Sequence, residues 1–234
     1  MSATPHHLHA LAAAWSLQAA LAALETAAKD AIDGALDGSR HGDVSIPSQV
    51  FGRRHGLGGH GDPVADLALG AWAPARPDPY AAALGGILRE LDPIAGLLPG
   101  APGMDPVTRI RLAVPAMSAL AAERTAAALT RLDQSARRTL GIGPDRHPLR
   151  GPVPPTCPAC GARATLHVQT AGPEAAWTVV CDGTRPPGRP HQPCLCAGAG
   201  CGCGMEGATE GVAHIWPRTS VLGAVAGAAP GPTN

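Results

Sequence analysis

Residues 157–161 read Cys157-Pro158-Ala159-Cys160-Gly161, and residues 177–181 read Trp177-Thr178-Val179-Val180-Cys181. Two residues between Cys157 and Cys160 let both thiolates face one ion while turn amides approach the sulfurs. Gly161 permits the positive φ that such a turn demands. Alternation at Leu166, Val168 and Thr170 predicts a strand, Ala171-Gly172-Pro173-Glu174 a turn, and Trp177 to Val180 a second strand delivering Cys181. A cysteine turn, a hairpin and a returning cysteine make a small β unit organised around a soft metal ion, for which zinc is the expected cofactor.

Working outward, twelve residues separate Cys181 from Cys194, and they read as a loop insertion. Closing such a loop adds only modest entropy, so Cys194 or Cys196 can complete a first site with Cys157, Cys160 and Cys181. The set Cys157, Cys160, Cys181 and Cys194 is the preferred one. The run Cys194-Leu-Cys196-Ala-Gly-Ala-Gly-Cys201-Gly-Cys203 then holds two C-x-C pairs. Cys196, Cys201 and Cys203 form a second candidate site with His214, or with His191, as fourth donor. The plainer alternative leaves these three thiols free, and an iron–sulfur cluster is a further one. Gly211 to Pro217 reads as a last short strand, with Trp216 and Trp177 covering a small core. Residues 218–234, rich in Gly, Ala and Pro, read as a flexible tail.

Upstream, residues 1–140 read as a helical domain. Leu8, Leu11, Trp15, Leu17, Leu21, Leu24, Ala28, Ile32 and Leu36 recur at helical spacing over 8–36. Residues 38–63 are a Gly/His-rich loop, in which His41, His55 and His60 read as solvated, and a short helix is expected over 63–72. Asp78 and Pro79 open a helix running to Leu98. Asp105 opens another, to Leu140, whose stripe includes Ile110, Val114, Met117, Leu120, Ala121, Leu129, Leu132 and Ala136, with a kink at Pro115. Such stripes predict a bundle core, with a dimer seam as the alternative. Residues 141–156, rich in proline, read as a linker. The expected fold class is therefore α+β: a mainly α-helical bundle, then a small β module over 157–217.

Composition narrows the function. The chain has 234 residues, 45% of them hydrophobic, but Gly 30 and Pro 25 make up close to a quarter of it. Formal net charge is zero and balanced in both parts: residues 1–150 carry fourteen acidic and fourteen basic side chains, residues 151–234 four and four. Proteins that grip nucleic acid by its phosphates concentrate positive charge, so balance argues against strong non-specific binding. The one basic concentration is Arg137, Arg138, Arg146 and Arg150, read as candidate phosphate contacts or as a solvated hinge; in a nucleic-acid reading Arg185 and Arg189 would join them. The apolar run Leu11–Leu24 is short for a bilayer span, and no basic leader region precedes it. A cytoplasmic protein without membrane attachment is expected, where reduced thiols favour metal over disulfides.

The C-P-A-C-G turn and T-V-V-C strand end resemble the zinc-ribbon superfamily over roughly 60 residues. That resemblance implies zinc, and contacts with nucleic acid or protein. The order of helical region, Arg-rich linker and Cys-rich module ending in His214-Ile-Trp216 also resembles uncharacterised actinobacterial and actinophage proteins. No G-x-S-x-G, P-loop or H-E-x-x-H occurs, and Gly56 to Gly61 follows no apolar strand. The expectation is a non-enzymatic zinc-binding assembly or adaptor protein that binds a protein partner or itself. The alternative is a regulatory nucleic-acid-binding protein.

Overall fold

The structure is a computed structural model that describes residues 4–40, 78–150, 155–184 and 192–221. The expected Gly/His loop lies outside these residues from His41 on, with His55 and His60, while residues 38–40 at its start belong to the first helix; the helix over 63–72 lies outside as well, as do Arg185, Arg189 and His191. Among the described residues the order is α1 (Pro5–Arg40), α2 (Pro79–Gly96), α3 (Pro106–Ala113), α4 (Ala119–Leu140), β1 (Arg146–Pro148), β2 (Leu166–Gln169), β3 (Thr178–Cys181) and β4 (Ile215–Pro217). The fold is α+β, with helices first and a four-stranded antiparallel sheet after them.

Local chemistry sets the helix starts. The Asp78 carboxylate accepts from the Tyr80 and Ala81 amides at 3.3 and 3.0 Å, with Pro79 at the first helical position. Asp105 does the same for Thr108 at 2.8 Å, ahead of Pro106. The expected single helix from Pro106 to Leu140 is instead two. A 3-10 turn at Val114–Ala116 follows α3, Met117 is extended, and the Ser118 hydroxyl caps α4 through Ala121 N–H at 3.2 Å. Pro115 lacks the N–H a continuous helix needs, and a good capping residue three positions later lets the chain restart instead of bending. The restart also resets the phase: Leu120 is exposed, and Ala122, Thr125, Leu129, Leu132 and Ala136 form the buried face. Gly141 ends α4 in the left-handed region at φ +68°.

The helical core is Ala-rich where α1 meets its neighbours. Ala10, Ala13, Ala14, Leu17, Ala20, Leu21 and Leu24 face Leu129, Leu132 and Ala136 of α4, Ile87 and Leu91 of α2, and Val107 and Ile110 of α3. Small side chains let α1 and α4 approach closely, and theirs is the most extensive helix pairing. Ile32, expected in the stripe, is 54% exposed. By length and composition α1 could cross a membrane; here its apolar face is covered by α2, α3 and α4.

The sheet order is β1-β2-β3-β4, with Leu166 opposite Cys181 and Val180 opposite Ile215. The linker is shorter than expected, since Arg146–Pro148 within it forms edge strand β1 on β2. Leu149 packs against the cysteine-rich core, and Val221 in the expected tail is buried there. The start of α1 touches the sheet region: His9 Nε2–H donates to Ala213 O at 2.8 Å, and the Trp15 ring lies over Gly172. Gly172 has φ +82°, and a Cβ there would fall 2.5 Å from the Trp15 ring, so both backbone and packing require glycine.

Candidate metal centre

The turn at Cys157 closes on itself. Gly161 N–H donates to Cys157 O and Cys157 N–H to Ala162 O, both at 2.9 Å, with Gly161 at φ +67°. β2 and β3 then carry Cys181 back beside the turn. The long loop after Cys181 is pinched at its base by a two-residue bridge: Thr184 N–H donates to Gln192 O at 2.9 Å, and Gln192 N–H to Thr184 O at 2.8 Å. That bridge delivers Cys194, so loop length matters little once its ends are paired.

The structure gathers Cys157, Cys160, Cys181 and Cys194 into one cluster and Cys196, Cys201, Cys203 and His214 into another, with ligand atoms in each within 4.8 Å of one another. The choice between Cys194 and Cys196 at the first site is thus made by position: Cys194 Sγ lies 3.8 Å from Cys157 Sγ, and Cys196 belongs to the second cluster. All seven cysteines are unbridged. Cys157 and Cys194 sulfurs are 3.8 Å apart, as are those of Cys160 and Cys181. Four thiolates placed tetrahedrally around an ion at about 2.3 Å are separated by about 3.8 Å, so these two sulfur pairs have the spacing of a tetrahedral site. In the second cluster, Cys201 Sγ to His214 Nε2 is 3.2 Å, a few tenths under the roughly 3.5 Å of a loaded tetrahedron.

Backbone and hydroxyl groups surround the sulfurs. Gly183 N–H donates to Cys181 Sγ at 3.4 Å and Gly198 N–H to Cys196 Sγ at 3.3 Å, while the Thr165 hydroxyl lies 3.2 Å from Cys181 Sγ. Such partners orient thiolate ligands and offset their charge. Burial pushes the Cys157 thiol up to about 11, raises Cys203, and, with Cys160 close by, raises Cys194. Cys160 is held low: burial works against this, but the Ala162 amide and the neighbouring thiols outweigh it. Cys201 falls to about 6 because the Ala197 and Cys203 amides donate to it and His214 adjoins it. A bound dication would favour the deprotonated form of every cysteine that ligates it.

The four arginines expected as phosphate contacts do not act together. Arg137 is 4% exposed, and its guanidinium donates to Asp133 at 2.9 Å, Asp145 at 2.8 Å, Ser16 at 3.1 Å and Gly143 O at 2.7 Å. Burial works against its charge, but Asp145 and Asp133 raise its pKa above the ordinary value, so its guanidinium is engaged as a structural cation within the chain. Arg146 pairs with Asp182 at 3.3 Å, Arg138 bonds the Gln134 carbonyl of its own helix, and Arg150 is exposed. Sequence reasoning missed His7 and His9. His7 accepts from the Thr4 hydroxyl and donates to Met117 O at 2.9 Å, and His9 holds α1 to Ala213, one residue from the candidate ligand His214. Their only signal was position in the first turns of an apolar helix.

Gly183 gives a direct test of how the first cluster is assembled. A Cβ there would lie 2.0 Å from Gln192 O and 2.9 Å from Cys194 N, at φ +81°. Gly183→Ala should force the bridge open and displace Cys194, lowering metal affinity at the first cluster at least tenfold. Gly161→Ala meets nothing within 4 Å and carries only the left-handed backbone cost of about 1–2 kcal/mol, so it should be the milder variant. Equal affinities for the two variants, read by chelator competition, would mean the bridge does not set the site.

No protein-family model matches the chain, and searches of curated proteins and of solved structures found no match either.

Proposed function

We propose that this protein is a non-enzymatic zinc-binding adaptor or assembly factor, whose zinc-ribbon-like module is a recognition surface held in shape by metal. The supporting observation is that each cluster offers four protein donors to its ion. A catalytic zinc keeps one position for water or substrate, whereas a filled tetrahedron serves structure. Zinc suits the all-sulfur set and the sulfur–imidazole set, both soft and compatible with tetrahedral geometry. Metal then does the work of a larger core in a module whose strands are only three or four residues long. The partner of such a surface is a protein or a second copy of the chain.

Zero net charge and the burial of Arg137 favour this reading over nucleic-acid regulation. Zinc-loaded protein should therefore show no saturable binding to duplex DNA below about 100 μM at physiological salt, where non-specific binders have Kd values of roughly 10⁻⁴–10⁻⁶ M. Fluorescence anisotropy across a salt series measures this. Micromolar binding that weakens steeply with salt would replace the adaptor reading by the regulatory one. X-ray absorption at the zinc edge should find only sulfur and imidazole nitrogen; an exchangeable oxygen ligand would reopen a catalytic role.

A further inference from the structure

His214 touches both cysteine clusters. Its Nε2 lies 3.2 Å from Cys201 Sγ, while its Nδ1 lies 3.1 Å from Cys194 Sγ and 3.1 Å from Cys194 O. The ring is 1% exposed and stacks on Trp216 with centroids 5.4 Å apart and planes 9° from parallel, so it has no room to swing away. The main chain repeats the connection. His214 N–H donates to Cys194 O at 3.3 Å, Cys196 N–H donates to Val212 O at 2.8 Å, and Leu195 bridges Ala213. A single residue, Leu195, separates a ligand of the first cluster from a ligand of the second.

A neutral imidazole has one N–H and one lone pair. When Nε2 gives its lone pair to an ion in the second cluster, the hydrogen sits on Nδ1, where it meets the Cys194 oxygen and sulfur. When an ion fills the first cluster, four thiolates around a dication make a doubly negative complex, and Cys194 becomes a strong acceptor for that same N–H. Each binding event selects the tautomer that the other needs. We infer that the two clusters form one cooperative two-metal unit, in which His214 makes each ion strengthen the binding of the other. The inference rests on the reading that both clusters bind metal. Linkage requires the strengthening factor to be the same in both directions. Partners that hydrogen-bond a ligand typically change metal affinity by 10–100-fold, so a factor of about ten is expected.

The test is competition between the full chain and a chromophoric chelator for Co²⁺ and Zn²⁺, with the cobalt absorption bands separating the all-sulfur from the sulfur–nitrogen site. Cys201→Ser with Cys203→Ser disables the second cluster and leaves His214 in place; affinity at the first cluster should fall about tenfold. In the wild-type chain, filling the first cluster should strengthen metal binding at the second by the same factor. His214→Asn keeps an N–H near the Nδ1 position, so it should hold the first cluster closer to wild type than His214→Gln does. Unchanged affinity at the first cluster when the second is disabled, or unequal factors, overturns the inference. Should the variants not fold, the wild-type chain loaded with ¹¹³Cd²⁺ decides by nuclear magnetic resonance. His214 Nε2 should couple to one cadmium and Nδ1–H should face the other; coordination through Nδ1 overturns the proposal. Two ions bound independently overturn this inference alone, whereas no ion at either cluster also removes the metal-binding reading beneath it.

Discussion

Cys157→Ser is expected to cost at least a hundredfold in metal affinity and to unfold the region from Thr156 to Val221, while far-UV circular dichroism keeps most of its helical signal. Cys157 is 1% exposed at the centre of the smaller core, where cysteines outnumber large apolar side chains. Leu166, Val179 and Trp216 are the main apolar members there, too few to hold short strands unaided. Structural zinc is worth about 10–16 kcal/mol of apparent binding free energy in small metal-folded domains, and that energy is folding energy. Serine supplies no thiolate and leaves a buried hydroxyl in its place. Among the described residues the helices have their own core of sixteen buried apolar residues and should outlast the loss. A variant with wild-type sheet dispersion in its amide spectrum would show that the metal is dispensable to the fold.

Arg137→Ala should lower global stability of the helical part by about 3–5 kcal/mol, as expected when one member of a buried ion pair is removed. Asp133 is on the preceding turn of α4 and its side chain is 11% exposed, so without the guanidinium it is left as a nearly unpaired buried carboxylate. The same arginine ties the end of α4 to Ser16 of α1 and to Gly143 and Asp145 of the segment leading into β1. Arg137→Lys should recover part of the loss, because one ammonium cannot span four acceptors arranged for a planar fork. Urea unfolding monitored by helical signal measures both variants. A change under about 1 kcal/mol for the alanine variant would mean the network is solvated and contributes little.

Arg137 also marks where sequence reading stops. Its charge and position near the prolines suggested a basic surface, but its burial depends on α1 crossing α4, a contact between residues 121 positions apart. What was legible was local. The caps at Asp78 and Asp105, the Gly161 turn and the β2–β3 hairpin follow from short-range spacing, and the structure forms each of them. Strand β1 was hidden because Arg146-His147-Pro148 lacks β-branched residues and alternation, and an edge strand tolerates proline that a central one would not. The break after Ala113 was half visible: Pro115 announced a disturbance, but whether a helix bends or restarts depended on Ser118 finding a free amide to cap. The choice between Cys194 and Cys196 was closed to spacing arguments, because the Thr184–Gln192 bridge that decides it joins two loop ends without any strand pattern.

The most direct test of the account is metal content per chain. Full-length protein purified without chelator should carry two zinc ions, counted by elemental analysis against amino-acid analysis and by the mass of the native species. Acid or a strong chelator should release both, together with the sheet's amide dispersion. Two ions per chain, lost with the fold of the sheet region, is the predicted result. A chain that carries none, or whose sheet is unchanged after the ions are stripped, would contradict the claim that metal holds this module together.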